Sequence, residues 1–156
     1  RQVILRMANS CDYHEEMVDE AMKIYKNARN AVTFYDDVLP SLEKLHKIFL
    51  LVAVTNGNAD IDRIGISQFF EHVFRSSELG IAKPNPRIFI AVADFFQVQP
   101  ERILHIGDDP VRDIQAAQYH GMETVWLNRE NREWPKDMKR PGRIVKNLFE
   151  FVDFLI

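Results

Sequence analysis

Four short apolar runs, each closed by glycine or polar residues and set apart by helix-length amphipathic stretches, constrain this chain more than any other feature. They are "IFLLVAVT" (48–55), "HVFRS" (72–76), "RILHIG" (102–107) and "ETVWLN" (123–128). The first is continuous, rich in β-branched residues and free of polar alternation, which predicts a strand buried on both faces. Between the runs, "DYHEEMVDEAMKIYKNARN" (12–30) spaces Met17, Ala21, Ile24, Tyr25 and Ala28 by three and four residues, with Asp12 as N-cap and acids in the first turn. "VLPSLEKLHK" (38–47) tolerates Pro40 in a first helical turn, and a helical stretch is expected around Ile61–Phe70. "NPRIFIAVADFFQVQ" (85–99) groups Ile88, Phe89, Val92, Phe95 and Phe96 on one helical face. "VRDIQAAQYHG" is a helix closed by Gly121, residues 129–142 with two prolines a solvated loop, and "KNLFEFVDFLI" a closing amphipathic helix. Strands alternating with helices predict an α/β protein, a Rossmann-like parallel sheet with right-handed crossovers. Ligands of such sheets bind outside the carboxyl ends of the strands.

Composition narrows the function. A net charge of −3 without a basic excess argues against nucleic acid as a partner. The single cysteine, Cys11, excludes an intramolecular disulfide, suits a reducing cytoplasm and reads as a small apolar residue. No run approaches the ~18 apolar residues of a membrane span. "RQVILRMANS" is too short and mixed for a signal peptide, lacks an initiator methionine and begins inside helix-like sequence, so a fragment is expected.

Three strand ends carry chemistry. After the first run come Thr55, Asn56, Gly57 and Asn58. The hydroxyl, the amide and the N–H groups of a glycine turn can cradle an anion, or can be simply a turn. Lys83 in "GIAKPNP" precedes a proline that keeps it out of helical geometry, so its side chain is either solvated or turned inward. Asp108, Asp109 and Asp113 follow the third run. Acids at a helix start can be caps, but a second acid beside the first and a third one turn on exceed that need. Hard oxygen ligands grouped in this way suit Mg²⁺, which takes one or two carboxylates, waters and a phosphate oxygen. An anion cradle, a lysine and a carboxylate cluster at the ends of one sheet describe a phosphate-plus-magnesium site.

In this order and spacing, "VAVTNGN", "AKPNP" and "HIGDDPVRD" resemble the second, third and fourth motifs of the haloacid dehalogenase-like hydrolase superfamily, over about Val32 to Asn128. "TNGNADIDRIG", "KPNPRIF" and the run from "HIGDD" to "TVW" are further similar to capped phosphatases of flavin mononucleotide and of a phosphorylated riboflavin precursor. The resemblance implies a Mg²⁺-dependent phosphomonoester hydrolase of a small phosphorylated metabolite. Thr55, Asn56 and Gly57 would then hold the phosphoryl group and Lys83 would neutralise it. Asp108 would bind the metal, Asp109 would support the metal or a bound water, and Asp113 would orient Lys83 or a metal water. Residues 1–31 would be the remnant of a helical cap and residues 32–156 the core.

The family's first motif, a strand ending in Asp-x-Asp whose first aspartate attacks phosphorus, is not found here. Asp60-Ile61-Asp62 follows "NGNA" rather than a strand, and reads as a cap for the helix after it. The missing strand is the central one, between the runs at 48–55 and 102–107, so the sheet is expected to have a gap. Either a segment is absent from these residues, which "IFLLVAVT" and "RILHIG" favour by carrying no polar replacements, or the activity was lost with it. The chain alone is expected to be inactive, its partner being the missing N-terminal segment of the same protein. The alternatives are an inactive binding protein of the same fold and a metal-independent haloacid dehalogenase; the acid cluster speaks against the latter. A signalling receiver would place its acids after the first strand. His14, His46, His72, His105 and His120 show no metal-ligand spacing, and His105 reads as a satisfied core residue. Phe69, Phe70, Phe95 and Phe96 read as core rather than as a flavin-stacking surface.

Overall fold

A computed structural model describes residue 6 and residues 15–57 and 59–156. The expectations for Cys11, Asp12, His14 and Asn58 lie outside the described residues. The chain divides into two compact units, residues 1–33 with 58–67 and residues 34–57 with 68–156.

In the first unit, helix α1 (Glu15–Asn30) buries Val18. Asn30 Oδ1 accepts a hydrogen bond from the Asp60 N–H at 2.8 Å. The helix expected over 61–70 does not form. Residues 61–65 make a turn closed by Ile64 N–H to Asp60 O and Ile66 N–H to Ile61 O, each 3.0 Å. Gly65, at φ 78, turns the chain out of right-handed geometry, and only Ser67–Phe69 form a short 3₁₀ turn. Asp60 therefore caps a turn, accepting from the Asp62 N–H at 3.1 Å.

The second unit holds two parallel sheets. Strand β1 (Val52–Thr55) pairs with β2 (His72–Arg75), and β3 (Leu104–Gly107) with β4 (Glu123–Leu127), which pairs with β5 (Arg143–Val145). Helices α2 (Val38–Leu45) and α6 (Leu148–Leu155) contribute Leu45, Phe151 and Val152 to one apolar cluster, with Val125 and Val145. The short α3 (Ser76–Leu79) follows β2. Helix α4 (Arg87–Phe96) and the segment before β4 form a second cluster from Ile88, Phe89, Ala116, Ala117 and Met122. Ile106 and Leu51, the residue before β1, pack on the first cluster, and Val54 and Ile103, the residue before β3, on the second.

Among the described residues β1 and β3 do not pair with each other, and each keeps an open edge on that side. This corrects the expectation of a first strand buried on both faces. All four β1 residues are only half-buried, and Leu104 is 37% exposed, because a parallel strand without a lateral neighbour leaves flank and backbone uncovered. Ile48 and Phe49 lie in the turn after α2, where their N–H groups donate to Leu45 O, and the strand starts only at Val52.

Strand β5 escaped the sequence reading because three residues after Pro141-Gly142 are too short a run to stand out. Phe95, expected in the core, is 57% exposed and stacks on the His72 ring at 4.5 Å. The closing helix is capped reciprocally: Asn147 Oδ1 accepts from Glu150 N–H at 2.9 Å, and Glu150 Oε2 from Lys146 N–H at 2.7 Å.

Candidate functional site

Beyond β1 the chain turns, with Thr55 Oγ1 accepting from the Gly57 N–H at 2.8 Å. The next side chain reaches across to the loop after α3. Asn56 Oδ1 accepts from the Lys83 N–H and Asn56 Nδ2 donates to the Lys83 carbonyl, both at 2.8 Å. The Lys83–Pro84 bond is cis. Lys83 is turned inward: its Nζ donates to Asp113 Oδ1 at 2.6 Å, with side chains 15% and 6% exposed.

Asp113 sits in a segment expected to be an α-helix. It instead opens with a π-helical turn, Pro110–Gln115, before the three-residue α5 (Ala116–Gln118). Such wide turns alter side-chain direction locally and recur at functional sites. Here the Asp109 carbonyl accepts from both the Asp113 and the Ile114 N–H, while the Asp109 N–H donates to Asp113 Oδ2 at 3.1 Å. Gly107 makes room, since a Cβ there would stand 2.3 Å from the Asp113 Cβ. His105 Nε2 lies 3.6 Å from Asp113 Oδ1. Burial of Asp113 opposes its ionisation, but the His105 imidazole and the Lys83 ammonium outweigh that and hold the carboxyl well below the usual carboxylate range.

The other two aspartates have separate surroundings. Asp109 Oδ1 caps the π-helical turn, accepting from Val111 N–H at 2.9 Å and Arg112 N–H at 2.8 Å. Asp108 is exposed, and among the described residues its carboxylate has no hydrogen-bond or ion-pair partner. Its backbone, by contrast, is held twice. Trp126 Nε1 and Arg132 Nη2 donate to the Asp108 carbonyl at 3.0 and 2.8 Å. Arg132 is itself placed by Asn128, whose Oδ1 accepts from the Arg132 N–H and whose Nδ2 donates to the Arg132 carbonyl. The segment after β4, expected to be merely solvated, thus braces the site. Trp126 carried a usable signal, because a buried indole needs an acceptor for its N–H.

Thr55, Asn56, Lys83, Asp109 and Asp113 are therefore linked through successive contacts of the three segments after β1, α3 and β3, with Asp108 beside them in sequence. The expected anion cradle is partly spent: one Asn56 N–H and its Oδ1 are taken by the Lys83 backbone, and the Gly57 N–H by Thr55. Two donors remain for an anion: the Thr55 hydroxyl proton, whose oxygen accepts from Gly57, and the second N–H of the exposed Asn56 amide. Among the described residues no three His, Cys, Asp or Glu converge into a metal cage. The donor chemistry nonetheless fits Mg²⁺, because an exposed carboxylate on a braced backbone is what an ion retaining most of its waters requires. A separate cavity of about 590 Å³ lies in the first unit, where Lys23, Lys26 and Arg63 are offset by Asp19 and Asp60. None of those residues belongs to the strand-end group.

Comparison with known proteins is consistent with this arrangement. A family model described as haloacid dehalogenase-like hydrolase matches residues 8–121. The chain is 38% identical over 125 residues to a glyceraldehyde 3-phosphate phosphatase of Methanopyrus kandleri, covering 76% of this chain and 54% of that protein. It is 33% identical over 111 residues to the 5-amino-6-(5-phospho-D-ribitylamino)uracil phosphatase YigB of Escherichia coli, covering 71% and 47%. The chain spans about half the length of these curated relatives. In structure it resembles a 2-haloacid dehalogenase of Pseudomonas syringae with a TM-score of 0.93 and 31% identity, over 99% of this chain and 68% of that one.

Proposed function

The chain belongs to the haloacid dehalogenase-like hydrolase family, and from that premise we propose that the complete protein is a Mg²⁺-dependent phosphomonoester hydrolase acting through an aspartyl-phosphate. The observation that carries the reading is the buried Lys83–Asp113 pair, set next to the exposed, unpartnered carboxylate of Asp108. In this reading the Lys83 ammonium neutralises charge on the phosphoryl oxygens, and Asp113 fixes where that ammonium points. Thr55 donates its hydroxyl proton to a phosphoryl oxygen, and Asn56 and Gly57 shape the loop around it. Asp108 would hold the metal, and Asp109 would support the metal or its water. Mg²⁺ would supply Lewis-acid stabilisation of the transferred group.

The nucleophilic aspartate is assigned to a strand seated between β1 and β3, where the open edges await a parallel neighbour. Residues 1–31 are proposed as the remnant of a cap and 32–156 as the core, and the 156-residue chain alone is proposed to be inactive. The substrate is proposed to be a small phosphorylated metabolite in the cytoplasm. Likeness to the riboflavin-precursor phosphatase supports flavin mononucleotide or that precursor as candidates.

The test is phosphate release by the complete protein from a panel including flavin mononucleotide, the riboflavin precursor and glyceraldehyde 3-phosphate, with and without Mg²⁺. Release should require Mg²⁺ and vanish in Asp108→Asn and Lys83→Met variants that remain folded. Full activity in either variant would sink the site assignment. The dehalogenase likeness supports a second reading, halide release from a 2-haloacid without metal, which the same protein should fail to perform. Neither activity would point to a binding protein of the same fold.

A further inference from the structure

Beside the Lys83–Asp113 pair lies a buried polar group that the reaction above does not use. His105 faces inward from β3 with its side chain 13% exposed, and the Phe89 ring meets it edge-on at 5.0 Å. Its Nε2 is buried and, among the described residues, has no hydrogen-bond partner. A ring nitrogen left unpaired in the interior is costly, so native proteins rarely leave one without a reason. The acceptor beside it is Asp113 Oδ1, at 3.6 Å, the same oxygen that takes the Lys83 ammonium at 2.6 Å. A movement of a few tenths of an ångström would bring the pair within ordinary hydrogen-bond range.

Residues 105 and 107 share one face of β3. Gly107 vacates the space that the Asp113 side chain fills, and His105 borders that space. The terminal torsion of an aspartate is broad, and a lysine is long and flexible. One oxygen of Asp113 is set by the Asp109 N–H. The other, among the described residues, receives only the mobile Lys83 ammonium unless the His105 ring also donates to it.

We propose that His105 is a positioning residue: with its proton on Nε2 it donates to Asp113 Oδ1 and so fixes the orientation from which that carboxylate grips Lys83. The functional weight of this inference rests on Lys83 serving the phosphate site, whereas its geometry does not, so the two can fail separately.

Long-range ¹H–¹⁵N spectra of the complete protein at neutral pH read the tautomer directly. The expected result is a protonated Nε2; a bare Nε2 with the proton on Nδ1 overturns the proposal, whatever the activity of the complete protein. A second readout is the Lys83 ammonium signal, which survives only where solvent exchange is slow. His105→Gln keeps a donor at similar reach and should retain that signal. His105→Met keeps the volume without the donor and should lose it, with its melting temperature close to that of His105→Gln. Retention of the signal in both variants would show that His105 does nothing for Lys83.

Discussion

The side chain of Asn56 closes two hydrogen bonds on the backbone of Lys83, one to its N–H and one to its carbonyl, each at 2.8 Å. This side chain–to–backbone clasp ties the loop after β1 to the loop after α3, so the base of the lysine is located before its ammonium meets Asp113. Asn56→Ala should lower stability by about 1–2 kcal/mol in urea denaturation, the worth of two partly solvated hydrogen bonds. Asn56→Asp should do no better, because its second oxygen would face the Lys83 carbonyl. Unchanged stability in both would mean that the clasp contributes nothing.

Lys83→Met strands a carboxylate in the interior. The expected loss is roughly 3–5 kcal/mol at neutral pH, and Lys83→Met with Asp113→Asn should recover much of it, since the buried charge goes too. The native Asp113 carboxyl lies below its ordinary value of 3.8, so its contribution is present above that pH and lost as pH falls through the folded value. The variant should accordingly lose less stability than the parent on acidification from pH 7 to the acid range. A double-mutant cycle in guanidinium at several pH values checks both statements.

Gly107→Ala would drive a methyl carbon to 2.3 Å from Asp113 Cβ, with the carboxylate carbon nearly as close. Backbone or Asp113 must move, and overpacking of this kind costs about 1–3 kcal/mol. The accompanying sign should be a displaced Asp113, visible in a crystal structure as a broken or lengthened bond to Lys83. An alanine variant with native stability and geometry would contradict the packing described.

Asp37 offers an acid-sensitive contact away from the site. It is buried, accepts from Arg129 Nη2 at 2.8 Å and from the Leu148 N–H at 2.5 Å, and so anchors the start of α6. Arg129 also lies over the Tyr35 ring at 4.2 Å. Burial pushes the Asp37 carboxyl up, but these donors outweigh it and set it below 3.8. Its stabilisation is thus complete above that value and fades as pH drops beneath it. Asp37→Asn should cost about 2–3 kcal/mol at pH 7 and less below pH ~4, read from thermal melts at both pH values.

The alternation of strands and helices was legible because apolar periodicity is local. β2 and β4 emerged within a residue of where the pattern put them, and Gly121 ended its helix in a left-handed turn at φ 81. The misreadings have tertiary causes. Phe95 fits an apolar helical face in sequence, yet in the fold it lies outside the core and stacks on His72. The run over 61–70 has helical spacing, but Gly65 and the Asp60 turn break it. His105 reads as an ordinary core histidine because a single sequence does not say that its neighbour across the fold is a carboxylate.

What the sequence determined by itself is the class of fold and the chemical inventory at the strand ends: a threonine, an asparagine, a lysine and three aspartates, in an order that specifies a family. Hydrophobic spacing and residue type suffice for that, since both act over a few residues. Only the tertiary structure decided how the inventory is divided. It assigned Asp113 to Lys83, Asp109 to a helix cap and Asp108 to solvent, and it gave the Asn56 amide to a backbone. It also brought Trp126 and Arg132 onto the Asp108 carbonyl. Those outcomes depend on which loops meet above the sheet, and long-range packing sets that meeting rather than any local pattern.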